Sequence, residues 1–410
     1  MKTRPLKRYC DGPPQYGLNI AAGEYTSEGV RLIRTSDIRT DGSLSDAEQG
    51  VFVPDTVVEP RHRLQVGDIL FSRSGTLGRS IRVQEAASEM TFAGFLVRFR
   101  PVAEADPRFV EYCANSAPFQ AAVEADAVTS TISNFNAEKY SEVRLPDVAP
   151  DRQRAIADYL DTETARIDAL IAKKQRMIEL LDERLRVWIS RAVTSGLDEA
   201  AVLKPSGLEY VNQIPAHWGR VPLSSVCSFE AGKAHEPFIE DEGRFICVNS
   251  RFISTAGQTV KNCSRNLSPA RRSDVLLVMS DLPNGRALAR AFFVDEDDIY
   301  AVNQRVCIIS PHGVEPRFAF YQLDRNPYFL SYDDGSNQTH LSNSTFTKFP
   351  MLIPPAEEQR AIADFLDELT ANLSRASRLL SQQIELLRER RQALITAAVT
   401  GELGVPGVAA

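Results

Sequence analysis

Gln-Arg-Ala-Ile-Ala-Asp stands at residues 153–158 and returns unchanged at residues 359–364. The longer segment 153–197 matches 359–403 without a gap, at a spacing of 206 residues, and both copies also contain Ile-Glu-Leu-Leu. Identical blocks at one fixed spacing indicate an internal duplication. We therefore expect the same structural element to occur twice.

Both copies are predicted to be long helices that pack against each other. Their apolar residues are mostly three or four positions apart, which places them on one helical face, and several recur every seven residues, as in a coiled coil. Gly196 and Gly401 follow the two segments, where a C-terminal cap belongs. The predicted packing residues are Ile156, Leu160, Ile167, Leu170, Met177, Leu181, Trp188, Ile362, Leu366, Leu373, Leu380, Leu387 and Leu394.

Length and composition limit the possible classes of protein. A chain of 410 residues is too long for one ordinary core, so two to three domains are expected. No apolar stretch approaches the length of a membrane span and no signal-peptide pattern is present, which predicts a cytoplasmic protein. The six cysteines form no close pair and the histidines show no metal-ligand spacing, so reduced thiols and no metal site are expected.

The charge of the chain is unevenly distributed. A net charge of −7 does not favour nucleic-acid binding, but residues 244–290 contain eight basic residues against two acidic ones. Such a stretch is either a solvated face or a contact with nucleic acid.

Two diverged segments precede the long helices. Each contains short β-like runs separated by Gly, Pro and Asp and then a helix, which predicts a mixed α/β globule. Matching strings link them: Pro107-Arg108-Phe109 returns as Pro316-Arg317-Phe318, and Ile132-Ser133-Asn134 as Leu341-Ser342-Asn343, both 209 residues later. The loop from Ser74 to Arg79 likewise aligns with the loop from Ser280 to Arg286.

The predicted division of the chain follows from these repeats. It consists of a globule at 1–148, a long helix at 149–197, a linker at 198–207 containing Lys-Pro-Ser-Gly, a second globule at 208–354, a second long helix at 355–403 and a frayed tail at 404–410.

These motifs together resemble the specificity subunit of Type I restriction-modification systems. The duplicated helix blocks, their Ala-Val-Thr ends and the stretch Gly-Asp-Ile-Leu-Phe-Ser-Arg-Ser-Gly-Thr at 67–76 carry the resemblance, which covers nearly the full chain. It implies a mixed α/β fold with two tandem target recognition domains, separated by two long antiparallel coiled-coil helices and related as a pseudo-two-fold internal repeat. The first globule departs from the family pattern, because it opens with Arg4-Pro5-Leu6 and lacks the tryptophan present at Trp218.

The resemblance also implies a function. Each globule is expected to recognise one half of a bipartite target in double-stranded DNA, while the helical pair sets the spacing and docks two methyltransferase subunits. A nuclease-translocase subunit is expected to join for cleavage. The chain itself is expected to need no cofactor and to catalyse nothing.

The candidate DNA-binding residues lie on short polar loops. Base recognition in the major groove uses Arg, Asn, Gln, Ser and Thr, and phosphates are bound by basic and hydroxyl side chains. Taken alone, each stretch is more typical of an ordinary polar turn, and the resemblance is what makes DNA contact a comparable alternative. The candidates are Arg34, Ser36, Ser72, Arg73, Ser74, Thr76, Arg79, Thr131, Asn134, Asn249, Arg251, Arg271, Arg272, Arg286, Asn303, Gln304, Arg305, Gln338, His340 and Asn343.

Two rival functions are weaker. Asn326-Pro327-Tyr328-Phe329 resembles an adenine-methyltransferase motif but lacks its second proline, and it is predicted to end a helix. The sequence contains neither the Gly-x-x-x-x-Gly-Lys phosphate loop nor His-Glu-x-x-His. A coiled-coil scaffold would explain the helices but not the globules; binding to duplex DNA separates that hypothesis from a DNA reader.

Overall fold

The structure is a computed structural model that describes residues 2–39, 43–45, 50–84, 89–125, 134–281, 287–333 and 339–406. The chain forms two compact units, of which unit 1 comprises Met1–Arg176 with Leu380–Ala410 and unit 2 comprises Met177–Leu379. Each unit therefore contains one globule, the first half of the long helix that follows it and the second half of the other long helix.

Unit 1 is built from short strands and three short helices. Its strands are β1 (Thr3–Pro5), β2 (Gln15–Tyr16), β3 (Val30–Ile33), β4 (Val51–Val53), β5 (Ile69–Ser72), β6 (Ser80–Arg82), β7 (Met90–Phe92), β8 (Leu96–Phe99) and β9 (Arg144–Pro146). The helices of its globule are α1 (Pro107–Ala114), α2 (Ala117–Ala125) and α3 (Ala137–Glu142), and the long helix α4 (Pro150–Ser195) follows.

Two sheets and an aromatic core organise the globule of unit 1. One sheet has the order β2-β8-β5-β6, the other β4-β3-β7, and β1 pairs with β9. Phe71, Phe99, Phe119 and Tyr140 are buried together, with ring centroids 4.8 to 6.4 Å apart. The sheets and helices thus form the mixed α/β globule that the sequence predicts.

Unit 2 contains the remaining elements. Its strands are β10 (Leu203–Leu208), β11 (Val211–Pro215), β12 (Gly219–Pro222), β13 (Cys227–Ala231), β14 (Phe245–Val248), β15 (Asn262–Cys263), β16 (Val275–Val278), β17 (Ser280–Asp281), β18 (Ala291–Phe293), β19 (Tyr300–Val302), β20 (Val306–Pro311), β21 (Thr339–His340) and β22 (Pro350–Ile353). Its helices are α5 (Ser250–Ser254), α6 (Pro316–Leu323), α7 (Pro327–Leu330) and α8 (Asn343–Thr347), followed by the long helix α9 (Ala356–Thr400).

The strand order of unit 2 corresponds to that of unit 1. Its sheets run β13-β20-β16-β18 and β15-β14-β19, and β12 pairs with β22. In both units the pairing within the three-stranded sheet is antiparallel on one side and parallel on the other. The first strand is intact in unit 1 despite the missing tryptophan, because the Leu6 amide donates to the Val143 carbonyl as the Leu223 amide donates to the Phe349 carbonyl, each at 2.8 Å.

The hydrogen-bonded ladders correct one of the sequence alignments. Ile69 lies opposite Arg82 in unit 1, and Val275 lies opposite Phe293 in unit 2. Counting back from these pairs, Arg79 corresponds to Arg290 and not to Arg286. The loop of unit 2 is longer than that of unit 1, so its matching letters are out of register.

A second alignment is also wrong. The Phe135 amide donates to the Arg73 carbonyl at 2.9 Å, and the Leu341 amide donates to the Met279 carbonyl at 2.8 Å. Asn134 therefore corresponds to His340, one position before Leu341, and not to Asn343. Short polar strings recur by chance, whereas a backbone ladder fixes the register.

The predicted linker is partly a strand. Residues 203–208 form β10, which pairs antiparallel with β11. Gly207 has a positive φ of 69° at the irregularity in this hairpin, and the Lys204 ammonium donates to the carbonyls of Ala216 and Trp218. The Lys-Pro-Ser-Gly run is thus a bulged edge strand, a position that tolerates proline.

The long helices end as the sequence predicts. Gly196 and Gly401 directly follow the last residues of α4 and α9 and have φ values of 74° and 77°. Glycine adopts this left-handed conformation without the strain that a side chain brings, which ends the helix. No helix among the described residues is long and apolar enough to cross a membrane.

The less exposed positions of each long helix follow one another at intervals of four and three residues. In α4 they are Leu160, Thr164, Ile167, Ile171, Lys174, Ile178, Leu181, Leu185, Trp188 and Ala192; in α9 they are Leu366, Thr370, Leu373, Ser377, Leu380, Ile384, Leu387, Arg391, Leu394 and Ala398. Leu170 and Met177 were predicted as packing residues but are 47% and 51% exposed. The side chains that turn inward are those one position further along, Ile171 and Ile178.

Within each unit the two helix halves run in opposite directions. In unit 1, Arg391 donates to Asp168 at 3.0 Å and Lys174 donates to Gln383 at 2.6 Å. Later residues of α4 thus contact earlier residues of α9, so the two helices are antiparallel here. In unit 2, Trp188 meets Phe365 with ring centroids 5.6 Å apart, and the Glu358 side-chain oxygen lies 2.8 Å from where a Cβ of Gly196 would be. The contact made later in α4 is therefore made earlier in α9.

Candidate nucleic-acid interface

The sheets of unit 1 bring several of the predicted loops to one end. Strand β8 is antiparallel to β2 and β5, and β3 is parallel to β7, so the turn before β8 lies beside the ends of β2, β3 and β5. We call this region the loop end of unit 1. It consists of Tyr16, residues 34–36, 72–79 and 94–95, and residues 134–136.

Arg73 lies at the centre of this loop end. Its amide donates to the Phe95 carbonyl at 3.0 Å and its carbonyl accepts from the Phe135 amide at 2.9 Å. The guanidinium lies 5.0 Å from the centroid of the Tyr16 ring. A guanidinium that lies over an aromatic ring is attracted to it and so restrained in position, and arginine is the residue type that binds guanine or phosphate through two hydrogen bonds. Its buried Nε has no hydrogen-bond partner among the described residues.

Two predicted polar stretches form one surface next to Arg73. Ser74 and Asn134 are joined by an antiparallel β-bridge, although 60 positions separate them in the sequence. Gly75, with a φ of 77°, has open space where a Cβ would lie, and Thr76 is exposed beside it. The candidate Thr131 lies outside the described residues.

Four of the candidates in unit 1 form side-chain hydrogen bonds within the protein. Ser72 is fully buried and donates to the Thr76 carbonyl, so its prediction as a DNA contact is wrong. Arg79 donates to the Ile38 carbonyl at 2.9 Å. Arg34 binds both carboxylate oxygens of Asp37, at 2.9 and 3.2 Å, and this hydrogen bonding raises the pKa of Arg34. Ser36 is exposed and its hydroxyl donates to Asp37.

The loop end of unit 2 is built on the corresponding strand ends. It consists of Lys233, residues 249–251, 280–281 and 304–305, and His340. Ser280 pairs with His340 in the two-stranded ribbon formed by β17 and β21. His340, Gln304 and Arg251 are exposed and Arg305 is half-buried. The candidates Arg286 and Gln338 lie outside the described residues.

Two asparagines of unit 2 organise the backbone. Asn249 caps α5 by accepting from the Phe252 amide at 2.9 Å. Asn303 is buried and donates to Glu236 at 2.9 Å, and its side-chain oxygen accepts from the Gln304 amide at 2.7 Å. The hydrogen bond from Asn303 lowers the pKa of Glu236. Asn303 was predicted as a DNA contact, but its side chain is instead used to fix the Gln304 turn.

Arg271 and Arg272 lie away from the other candidates. Both side chains are exposed, and their amides donate to Asp274 and Asp297, each at 2.7 Å. They precede β16, whereas Ser280 follows it, so a four-residue strand about 13 Å long separates them from the loop end. Asn343, by contrast, is exposed at the start of α8, a few residues beyond His340.

A set of residues that sequence reasoning missed fastens each globule to its own long helix. In unit 1, Arg108 binds Asp158 and Asp161 at 2.7 and 2.8 Å, and the Tyr112 hydroxyl donates to Asp161 at 2.7 Å. We call this group the clamp of unit 1. Burial is the largest cause that raises the pKa of Tyr112, and the neighbouring Asp161 contributes.

Unit 2 has the same clamp. Arg317 binds Asp364 at 2.9 Å and Asp367 at 2.7 Å, and the Tyr321 hydroxyl donates to Asp367 at 2.7 Å. The signal was present in the sequence, because Pro-Arg-Phe and the two aspartates of the helix block both occur twice.

The first residue of the duplicated block has a buried role. Gln153 is 0% exposed, accepts from the Asp106 amide at 3.0 Å and donates to the Val148 carbonyl at 2.7 Å. Gln359 accepts from the Glu315 amide and donates to the Pro354 carbonyl, each at 2.8 Å. A single amide side chain therefore joins the start of α1 to the start of α4 in unit 1, and another joins the start of α6 to the start of α9 in unit 2.

Asn326 does not belong to a methyltransferase motif in this fold. Its side chain accepts from the Tyr328 amide at 3.0 Å and caps α7, so the string begins a helix and the prediction that it ends one is wrong. Nearby, a cavity of about 860 Å³ is lined by residues of unit 2 that include Arg186, Arg290, Asp324 and Arg325.

Comparison with known proteins agrees with these features. Residues 215–386 match the family described as the Type I restriction modification DNA specificity domain. The chain is 22% identical, over 95% of its length and 85% of the relative, to the StySPI Type I restriction enzyme specificity subunit of Salmonella potsdam. It is 35% identical to the EcoBI specificity subunit of Escherichia coli over 25% of this chain and 22% of that protein.

Solved structures show the same fold. One, described as the structural basis of complex assembly and conformational transition of the type I R-M system, matches with a TM-score of 0.73 at 15% identity and 98% coverage of both chains. The crystal structure of the HsdS subunit from Thermoanaerobacter tengcongensis matches with a TM-score of 0.50 at 16% identity, covering 98% of this chain and 97% of that one.

The strand order, the polar loop ends and the specificity-domain match define a protein that recognises DNA sequence. Residues 215–386 match the specificity domain and nearly the full chain aligns with a Type I restriction enzyme specificity subunit, which confirms the resemblance found in the sequence. Such subunits are the non-catalytic DNA-recognition components of these systems.

Proposed function

We propose that this chain recognises a bipartite DNA target, one half with each loop end, and holds the two readers at a fixed spacing with its long helices. One observation above all supports the proposal: corresponding strands carry two loop ends of different chemistry, each fastened to a long helix by the same clamp. A duplicated reader suits duplex DNA, since paired half-sites match a protein with two related reading surfaces.

In this proposal the segments 1–148 and 208–354 are the target recognition domains. The helices α4 and α9 form an antiparallel coiled coil between them, and a pseudo-two-fold relation connects the two halves of the chain. The support is the coincidence of the inward positions of α4 and α9 at a spacing of 206 residues, together with the opposite directions of the helix halves in each unit.

The long helices also carry candidates for docking the methyltransferase subunits. Four large apolar side chains on α4 are about half exposed or more, within a stripe about 100° wide around the helix, and two on α9 are similarly exposed. They are Leu170, Met177, Leu180, Val187, Leu379 and Leu386, with exposures of 47, 51, 47, 61, 50 and 62%. Leu180 and Leu386 occupy matching positions of the duplication, which is consistent with two methyltransferase subunits.

The remaining partners follow from this role. We propose that the chain acts on double-stranded DNA in the cytoplasm and that a nuclease-translocase subunit joins the assembly for cleavage. The solved assembly with a similar fold is described as a type I R-M complex, which supports a role in such a complex.

Docking is tested by charge substitution. Leu180→Glu and Leu386→Glu each introduce a charge into an apolar contact, so each should reduce the amount of adenine methyltransferase subunit that copurifies with the chain, and the double variant should abolish it. Leu267→Glu, at a residue 39% exposed in the second globule, is the matched control and should copurify normally. Normal copurification of the double variant would show that the methyltransferase docks elsewhere.

The spacing function is tested by lengthening both helices together. Insertion of four residues after Lys174 and four after Leu380 is a stutter that coiled coils absorb by local unwinding, and it adds about 6 Å to each helix. Since duplex DNA rises about 3.4 Å per base pair, the gap between half-sites should grow by one to two base pairs.

Methylome sequencing of cells expressing the chain with an adenine methyltransferase subunit measures this gap. The unaltered chain should produce a bipartite methylated motif, and the lengthened variant should produce the same half-sites with a longer gap. Cells without the gene provide the control. An unchanged gap in an active variant would disprove the spacing role, and methyl transfer by the purified chain alone would disprove the non-catalytic role.

A further inference from the structure

The turn at Gly94-Phe95 places an aromatic side chain on the loop end of unit 1. Phe95 is 62% exposed, although phenylalanine is usually buried. The Gly94 amide donates to the Leu18 carbonyl at 2.8 Å, the Leu96 amide donates to the Ala93 carbonyl at 2.8 Å, and the Phe95 carbonyl accepts from Arg73. The backbone is therefore fixed on both sides while the ring projects outward.

The Asn19 side chain lies close against the turn at Gly94. A Cβ at Gly94 would lie 2.0 Å from the Asn19 side-chain oxygen, closer than any real contact. Glycine thus leaves room for the Asn19 side chain, and the exposed Phe95 follows directly in the chain. A single exposed apolar residue needs no explanation by itself, but this one lies beside the stacked Arg73 and Tyr16 pair.

Unit 2 has a polar residue at the corresponding position. The Met279 backbone amide donates to the Arg305 carbonyl at 2.9 Å, just as the Arg73 backbone amide donates to the Phe95 carbonyl. Phe95 of unit 1 therefore corresponds to Arg305 of unit 2, a residue type that binds guanine in the major groove. The same turn therefore carries an apolar side chain in unit 1 and a basic side chain in unit 2.

We propose that Phe95 is a specificity-determining residue that contacts the 5-methyl group of a thymine in the half-site read by unit 1. This proposal rests on the proposed function. The thymine methyl is the apolar feature of the major groove, and phenylalanine is among the side chains that contact it. The neighbouring Arg73, Ser74 and Asn134 have the hydrogen-bonding side chains suited to the same groove, which favours this contact over insertion of the ring between bases.

Duplexes in which deoxyuridine replaces thymine test the contact, because they lose the methyl group and keep every hydrogen-bonding group. The probe is a duplex carrying the bipartite motif found by methylome sequencing, and the protein is the full chain with its methyltransferase subunit. Replacement of one particular thymine of the first half-site should weaken binding by about fourfold, the equivalent of one buried methyl group.

The variant Phe95→Ala should bind the thymine duplex about as weakly as the unaltered chain binds the deoxyuridine duplex, and it should not distinguish the two duplexes. Phe95→Leu should retain part of the discrimination, because leucine keeps apolar contact. Val66→Ala is the control, since Val66 is 68% exposed before β5, away from the loop end, and the variant should discriminate normally.

Specific binding that is insensitive to deoxyuridine at every position would overturn this inference while leaving the proposed function intact. A Phe95→Ala variant that still discriminates would do the same. Equal weakening on all sequences, with no methyl dependence, would indicate insertion between bases and also overturn it. Failure of the unaltered chain to prefer any bipartite duplex would overturn both proposals.

Discussion

Units 1 and 2 agree where a globule joins its helix and differ where a globule faces outward. Arg108 and Arg317 bind equivalent aspartates, and Gln153 and Gln359 bridge equivalent backbone groups. At the loop ends, by contrast, Arg73 corresponds to Met279 and Phe95 to Arg305. Since the attachment is kept while the outward residues change, the attachment can hold readers of different chemistry in the same position on a helix.

The second helix of each unit contacts its globule differently. In unit 1, Gln392 of α9 donates to the Asn115 carbonyl and Thr396 accepts from the Ala117 amide. The matching positions of α4 in unit 2 are Arg186 and Ser190, and both line the 860 Å³ cavity. In unit 1, α9 is thus hydrogen-bonded to the globule at this place, whereas in unit 2 the matching part of α4 borders the cavity.

The largest expected effect comes from the buried glutamines. Gln153→Leu leaves the Asp106 amide and the Val148 carbonyl without their present partner, at about 1 to 3 kcal/mol for each group, so unit 1 should lose roughly 2 to 6 kcal/mol of stability. Gln359→Leu should cost unit 2 as much. Hydrogen exchange of the amides at the start of α4 and α9 measures each loss.

Fluorescence offers a control, because both tryptophans, Trp188 and Trp218, lie in unit 2. Denaturant-induced fluorescence change should shift to lower denaturant for Gln359→Leu and shift less for Gln153→Leu. Equal shifts for the two variants would contradict this expectation and show that the two units unfold together.

The clamps should show a smaller effect. Arg108→Ala removes bonds to Asp106, Asp158 and Asp161 and should cost about 1 to 2 kcal/mol, because hydrogen bonds between charged groups are stronger than neutral ones but part of this site is exposed. Arg317→Ala should cost less, since the Arg317 side chain is 35% exposed and its third carboxylate is 3.4 Å away.

Arg154→Ala is the matched control for both clamp variants. Arg154 forms an ion pair with Asp151, and both side chains are mainly exposed. The loss of this ion pair should therefore cost less than about 0.5 kcal/mol. Thermal denaturation of the three variants ranks them. A clamp variant no less stable than the control would show that the globule is held by apolar packing alone.

The sequence predicted the repeated elements well because repetition does not depend on local propensity. The long helices, their glycine caps and the family followed from blocks such as Gln-Arg-Ala-Ile-Ala-Asp. The inward positions were missed at Leu170 and Met177, because several leucines and isoleucines compete for one face and only packing selects between Leu170 and Ile171.

The candidate site was predicted less well for a different reason. Side-chain chemistry alone does not separate Arg73, which lies at the loop end, from Arg79, which binds a carbonyl within the protein. Phe95 was missed because an apolar residue next to a strand is expected to be buried. Register decides both questions, and register is set by backbone hydrogen bonds between residues far apart in sequence.

The smallest expected effect comes from a substitution that gives one position of unit 2 the residue type found at the matching position of unit 1. Asp324 occupies the position of Asn115, and its carboxylate accepts from the Ala291 amide at 2.8 Å. Burial raises the pKa of Asp324, and the amide bond and the guanidinium groups of Arg290 and Arg325 only partly oppose this. An acid whose pKa is raised in the folded state contributes stability below its unfolded pKa and loses it as pH rises through the folded pKa.

Asp324→Asn keeps an oxygen for the Ala291 amide and cannot carry the buried charge at neutral pH. The variant should therefore melt about 1 to 3 °C higher than the unaltered chain at pH 7, and this advantage should shrink as pH falls toward the usual pKa of aspartate. Asp333→Asn, at an exposed residue of the same unit, is the control and should change the melting temperature little at pH 7. A variant that melts lower at pH 7 would show that attraction to Arg290 and Arg325 outweighs the effect of burial.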